Sequence, residues 1–152
     1  MIWKPNVTVA AVIERDGKYL LVEEIPNGVD LQLNQPAGHL EPGESIIHAC
    51  SREVLEETGH IFLPEALTGI YHWHSVHNDT TYLRFAFTGR VTHYYPDREL
   101  DTGIIRATWL GIDEIRAKQA LHRSPMVMQC IEDHLTGKSY PLNILTHYNK
   151  LS

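Results

Sequence analysis

Residues Gly38 to Gly59 read GHLEPGESIIHACSREVLEETG, and the way this stretch folds decides much of the rest. Pro42-Gly43 closes a loop over Gly38 to Gly43. The segment from Ser45 to Thr58 is predicted to be a helix. Gly59 follows it as a residue suited to the left-handed conformation in which helices commonly end. Residues three and four apart share a helix face. With Glu53 at zero and about 100° per residue, Glu57 falls near +40°, Glu56 near −60° and Arg52 near −100°. Ile47, Cys50 and Val54 fall between roughly +60° and +120° by the same count. An apolar stripe therefore runs beside an acidic one. The helix can pack on a sheet through the first and present carboxylates to a cleft with the second.

That acidic arrangement is locally unfavourable. Like charges at i,i+3 and i,i+4 repel by about 0.2–0.5 kcal/mol per pair. All three glutamates sit in the last two turns, where the helix dipole disfavours negative charge. Arg52, four residues before Glu56, offsets part of this. A divalent cation would remove the conflict, and clustered carboxylate oxygens suit Mg2+ or Mn2+ in preference to zinc or copper. A glutamate-rich helix end is also a common solvated face, so REVLEE alone leaves both readings open.

Working outward, Val7 to Ile13 (VTVAAVI) is a β-branched and alanine run that predicts a buried strand. Asp16-Gly17 then signals a hairpin, with Tyr19 to Val22 as the returning strand. Pro26-Asn27-Gly28 is a turn, and Leu31 to Gln35 is short and extended, stopped by Pro36. On the other side of the helix, Leu67 to His74, Thr81 to Thr88 and Ile104 to Leu110 are predicted strands. Asp113 to Ala120 and Pro125 to Leu135 are predicted helices. The tail from Ser139 reads as irregular. Intermixed strands and helices, opening on a hairpin, imply a mixed α/β sandwich. No repeat or linker divides the chain, so residues 1–152 are expected to form one domain.

The composition narrows the function classes. With 43% hydrophobic residues among 152, a packed core is within reach. The formal net charge of −6 makes a poor surface for long nucleic acid, which needs a basic stripe, and it disfavours an RNA-end substrate. A small phosphate-bearing substrate remains compatible if a cation mediates. Cys50 and Cys130 are too few for a disulfide framework and read as free thiols of a cytoplasmic protein. Neither a signal peptide nor an apolar run of the ~18 residues needed to span a membrane is apparent. A monomer is expected.

The spacing of the central stretch carries more information than its composition. Gly38, five residues, Glu44, seven residues, then Arg52-Glu53-Val54-x-Glu56-Glu57-x-Gly59 resembles the signature box of the Nudix hydrolases. Seven fixed identities at usages of about 7% give a chance match on the order of 10^-8 per start position, so the coincidence reading is set aside. The box normally ends on an aliphatic residue, and here that position is His60, a departure expected to affect packing after the helix cap and not metal binding.

The resemblance implies a Nudix-type α/β/α sandwich with a mixed β-sheet, hydrolysing nucleoside diphosphates linked to another group. It implies that the carboxylates of Glu53, Glu56 and Glu57 hold the metal, often joined by the Gly38 carbonyl. It makes Glu53 a helper in deprotonating the attacking water, Arg52 the residue that orients the carboxylates, and Glu44 a support of the loop–helix junction. Segments outside the box, among them Val22-Glu23-Glu24, Asn34 to Glu41, Leu83-Arg84-Phe85, Arg123-Ser124-Pro125 and Tyr140-Pro141-Leu142, resemble one bacterial phosphatase branch of the family. That branch releases orthophosphate from nucleoside tri- and diphosphates and acts on thiamine pyrophosphate and hydroxymethylpyrimidine pyrophosphate. A dinucleotide or sugar-nucleotide pyrophosphatase and a non-catalytic sensing domain are the alternatives. The retained Glu53, Glu56 and Glu57 weigh against the latter.

Other residues stand between a binding role and a bland one. Arg84 and Arg123 can clamp phosphate bidentately or form surface ion pairs. Trp73 can stack on a substrate ring or pack in the core or at a rim. Glu23 and Glu24 can meet a substrate amine or hydroxyl, or form a solvated strand end. Asp101 can reach the cleft as a further metal ligand or base, or simply form a turn. His72, His74 and His77 make an H-x-H-x-x-H cluster, either a transition-metal site or surface histidines of a strand.

Overall fold

The computed structural model describes residues 1–148 of the chain. Nine strands and three α-helices follow in order: β1 (Asn6–Val12), β2 (Glu14–Arg15), β3 (Lys18–Glu24), β4 (Gln32–Asn34), β5 (Ala37–His39), α1 (Ile46–Thr58), β6 (His60–Ser75), β7 (Thr80–Tyr94), β8 (Ile104–Gly111), α2 (Ile112–Ala117), α3 (Met126–Leu135) and β9 (Tyr140–Pro141). A five-stranded sheet runs β5-β1-β7-β6-β9. It is mixed, with β1 parallel to β7 and the other pairs antiparallel. A smaller four-stranded sheet joins β2, β3, β4 and β8 around β3.

The unbroken apolar run of β1 follows from its position. Val9, Ala11 and Ile13 point into a cluster with Ala49, Cys50 and Val54 of α1. Val12 points the other way, into a cluster with Cys130 and Ile131 of α3. β7 divides in the same manner, Phe87 to the α1 side and Ala86 to the α3 side. Both faces are covered, so both sets of alternating side chains must be apolar. The result is the expected α/β/α sandwich.

The Asp16-Gly17 hairpin forms with both residues at positive φ, 54° and 80°, the geometry of a tight primed turn. α1 is capped as expected at its far end, where Gly59 has φ 74° and donates its N–H to the Leu55 carbonyl. Ser45 caps the near end, its side chain accepting from the His48 N–H.

Four expectations are corrected. Gly38 and His39, expected in the loop to Gly43, belong to the strand Ala37–His39 paired with β1. β6 and β7 extend well beyond the predicted cores, β6 from His60 and β7 to Tyr94, because β6 carries Pro64 at a bulge where the register to β7 shifts, and Gly89 lies opposite. The predicted helix over Asp113 to Ala120 ends at Ala117 and tightens into a 3-10 turn over Gln119–Leu121. The tail is not wholly irregular: Tyr140–Pro141 pairs with Leu67 and Ala66, and Leu142 and Leu145 pack on the α1-side core. No helix among the described residues is long and apolar enough to cross a membrane.

Candidate active site

A cleft of about 1370 Å³ opens where the acidic face of α1 meets the end of the five-stranded sheet. Arg52 organises its floor. Its guanidinium grips Glu44 as a fork, Nε to Oε2 at 2.9 Å and Nη2 to Oε1 at 2.7 Å. Nη1 donates to Glu53 Oε1 at 2.9 Å and to Glu56 Oε2 at 3.2 Å, and Nη2 to the His39 carbonyl at 3.1 Å. Glu44 also accepts from the Glu41 N–H, which ties the loop to the helix start. The fork holds the Glu44 carboxyl below its usual range.

Glu53 is buried against β5, and a Cβ on Gly38 would run into its carboxylate, so glycine there is what leaves the carboxylate its present position. Burial pushes the Glu53 carboxyl up to about 7, against the pull of Arg52. Glu57 is buried too, accepts from the Ala37 N–H at 2.8 Å and is pushed up to about 9 by burial, with Glu53 and Glu24 adding to the effect.

Asp101 comes from the loop between β7 and β8, anchored by its N–H on the Glu56 carbonyl at 3.0 Å. Oxygen atoms of Glu53, Glu56 and Asp101 lie within 4.8 Å of one another, the one such group of possible metal ligands among the described residues. Glu57 stands next to this group and not inside it. At 100° from Glu56 around the helix it is turned toward the Ala37 N–H. The oxygen-only donor set fits a hard divalent cation.

The remaining candidates separate. Arg84, Trp73, Glu24 and Arg123 line the cleft. Trp73 stacks on Tyr82, ring centroids 5.8 Å apart, at its rim. Arg123 donates to Glu24 at 2.9 Å. Glu23 lies outside the cleft: it faces the opposite side of β3 and is held as a fork by Arg106 of β8. His72, His74 and His77 do not converge. His74 turns to Thr81 and Asp79. Sequence reasoning missed Tyr82, Asn34 and Gln35. Tyr82 and Arg84 alternate with the core residues Phe85 and Phe87, and a period of two applied to β7 could have found the first.

Comparison with known proteins gives a consistent picture. A family model described as NUDIX domain matches residues 3–130. Phosphatase NudJ of Escherichia coli (strain K12) is 38% identical over 148 residues, covering 97% of this chain and 95% of its own length. A solved structure described as a NUDIX hydrolase from Nitrosomonas europaea superposes with a TM-score of 0.95 at 74% identity, covering 96% of this chain and 99% of that one. The NUDIX domain of Shewanella oneidensis NrtR, complexed with ADP ribose, shares the fold at a TM-score of 0.71 and 16% identity, covering 89% of each chain.

Proposed function

The chain belongs to the Nudix hydrolase family, and from that membership we propose that it uses a divalent cation, Mg2+ or Mn2+, to hydrolyse the terminal phosphoanhydride of a small nucleotide-like diphosphate and release orthophosphate. The substrates are nucleoside di- and triphosphates or the thiamine-related pyrophosphates. The observation that carries the reading is the convergence of Glu53, Glu56 and Asp101 on one cleft, with buried Glu57 beside them. Residues 1–152 act as one cytoplasmic, monomeric catalytic unit, of which 149–152 lie outside the described residues.

Glu53, Glu56 and Asp101 would hold the cation, with Glu57 and the Gly38 carbonyl next to them. Bound there, it would neutralise phosphate charge and acidify water for in-line attack. Glu53 also offers the base: Arg52 takes one acceptor site of its Oε1, and of the sites left on the carboxylate one would serve the cation and another the proton of the attacking water. Arg52 itself is fixed by Glu44, so the carboxylates are oriented before substrate arrives.

The test is product identity. Hydroxymethylpyrimidine pyrophosphate, thiamine pyrophosphate, nucleoside di- and triphosphates and ADP-ribose are each incubated with Mg2+ and the enzyme. Orthophosphate from the first four is the expected result. In Glu57→Gln the new amide oxygen can still accept from the Ala37 N–H, so the fold should survive while turnover drops by at least about 10^2. Near wild-type turnover in that variant would sink the assignment. One alternative has an observation in its favour. The cleft exceeds the usual ligand pocket of roughly 300–1,000 Å³ and has room for a dinucleotide or sugar nucleotide. Cleavage of ADP-ribose alone, to two monophosphates, would favour it. Binding without cleavage of any substrate would point to a sensing domain.

A further inference from the structure

Three arginines line the cleft, and they differ in what balances them. Arg52 contacts four carboxylates, those of Glu41, Glu44, Glu53 and Glu56. Arg123 is paired with buried Glu24. Arg84 is only 4% exposed, and among the described residues no carboxylate lies within ion-pair reach of it. Its neighbours are neutral: Nη1 donates to Gln35 Oε1 at 3.0 Å and sits 3.8 Å from Cys130 Sγ, and Nη2 donates to Asn34 Oδ1 at 3.2 Å. Its Nε–H is buried with no acceptor. A guanidinium has five N–H donors, and three contacts leave two of them free. A buried cation without a counter-ion is expensive, and the amide oxygens of Asn34 and Gln35 solvate it without neutralising it.

The placement suits a diphosphate. Asn34 and Gln35, which hold the guanidinium, begin the segment that continues through Ala37, bonded to Glu57, and Gly38, packed on Glu53. That segment runs from the end of β4 through Gln35 and Pro36 into β5 and spans at most ~14 Å when fully extended, so the residues that hold the arginine lie a short stretch of chain from those that touch the acidic group. Tyr82, stacked on Trp73, stands two residues from Arg84 on the same strand, about 7 Å away along it. A ring bearing a diphosphate could meet the aromatic pair, the arginine and the carboxylates together.

We propose that Arg84 binds a phosphoryl oxygen of the substrate through the Nη2 N–H that Asn34 leaves free, and that Arg123, already neutralised by Glu24, does not. This deepens the hydrolase reading and rests on it. The experiment is calorimetric binding of methylenediphosphonate, a non-hydrolysable diphosphate, with Mg2+, alongside KM and kcat on a nucleoside diphosphate. Arg84→Lys keeps length and charge but loses the fork. It and Arg84→Met should weaken the probe and raise KM about 10- to 100-fold, with a smaller effect on kcat. Arg106→Met, which removes a charge outside the cleft, should change neither. Unchanged probe affinity in both Arg84 variants, or a loss confined to Arg123→Met, would overturn the proposal, because a mere strut between β4 and β7 would lower melting temperature without touching probe affinity. Arg84-dependent binding with no hydrolysis of any substrate would instead sink the hydrolase reading and leave this one standing.

Discussion

His60 occupies the position where the family signature usually has an aliphatic residue, and its surroundings are those of a core side chain. It is 6% exposed, stacks on Tyr94 at 4.4 Å and meets Trp109 edge-on. Its Nδ1 lies 3.0 Å from the Thr58 carbonyl, an atom that can only accept, so Nδ1 carries the proton. Burial holds the ring's pKa below its ordinary value. The sign of the pH effect follows. As pH falls through about 6.5 the unfolded chain takes up a proton that the folded ring resists, so the stability due to this group is present at neutral pH and is lost on acidification. His60→Leu should therefore flatten the fall in melting temperature between pH 7 and pH 5, as thermal scans across that range would show, and an unchanged acid limb would refute the assignment. The sequence marked this position as a packing departure after the helix cap. It could not indicate a neutral buried ring, because the rings that enclose it come from residues 34 and 49 positions further along the chain.

Gly38 in β5 and Gly59 at the end of α1 bound the signature stretch, and the same substitution should do different things to them. At Gly38 an added Cβ meets the end of the Glu53 side chain, which can swing away. Gly38→Ala should leave melting little changed but displace Glu53, raising the divalent-cation concentration needed for activity about 10- to 100-fold, the scale of losing a metal site's supporting contacts. At Gly59 the backbone sits at φ 74°, and a Cβ would lie 2.9 Å from the Tyr95 carbonyl oxygen, which cannot move freely. Gly59→Ala should cost about 1–3 kcal/mol of stability, visible in denaturant melts, with the Mg2+ requirement unchanged in the folded fraction. The reverse pattern would mean that Gly38 is the structural glycine and Gly59 the one that shapes the acidic group. α1 was legible because its caps and both of its stripes are local signals. The extents of β6 and β7 were not, since Pro64 and Gly89 interrupt the pattern and only pairing across the sheet overrides them.

At the scale of the whole molecule, the sandwich was legible from the order of elements, and the acidic helix from its spacing. The sorting of Glu23 from Glu24, of Arg84 from Arg123 and of Asp101 into the acidic group depends on strand register and on loop paths that no local pattern encodes. The chain's formal net charge is −6, and one cleft gathers several of its carboxyl groups, of which Glu53 and Glu57 are buried and lifted to about 7 and about 9, so that ionising them without a cation is costly. Stability and function should oppose one another there. Without metal, Glu53→Gln removes a buried charge from an acidic cluster and should melt above the wild type, provided Arg52 keeps its hold through Glu44. With Mg2+ at about 100 times its dissociation constant, wild-type stability should rise by about 2.7 kcal/mol, or roughly 5–10 °C in melting temperature for a chain of this size. The variant should gain far less and lose about 10^2 to 10^4 in turnover. Paired melting curves in EDTA and in Mg2+ would therefore cross, the variant being the more stable protein without metal and the less stable one with it. If the wild type were the more stable protein under both conditions, the Glu53 carboxylate would be a structural group satisfied by Arg52 alone, and the metal would have to be held without it.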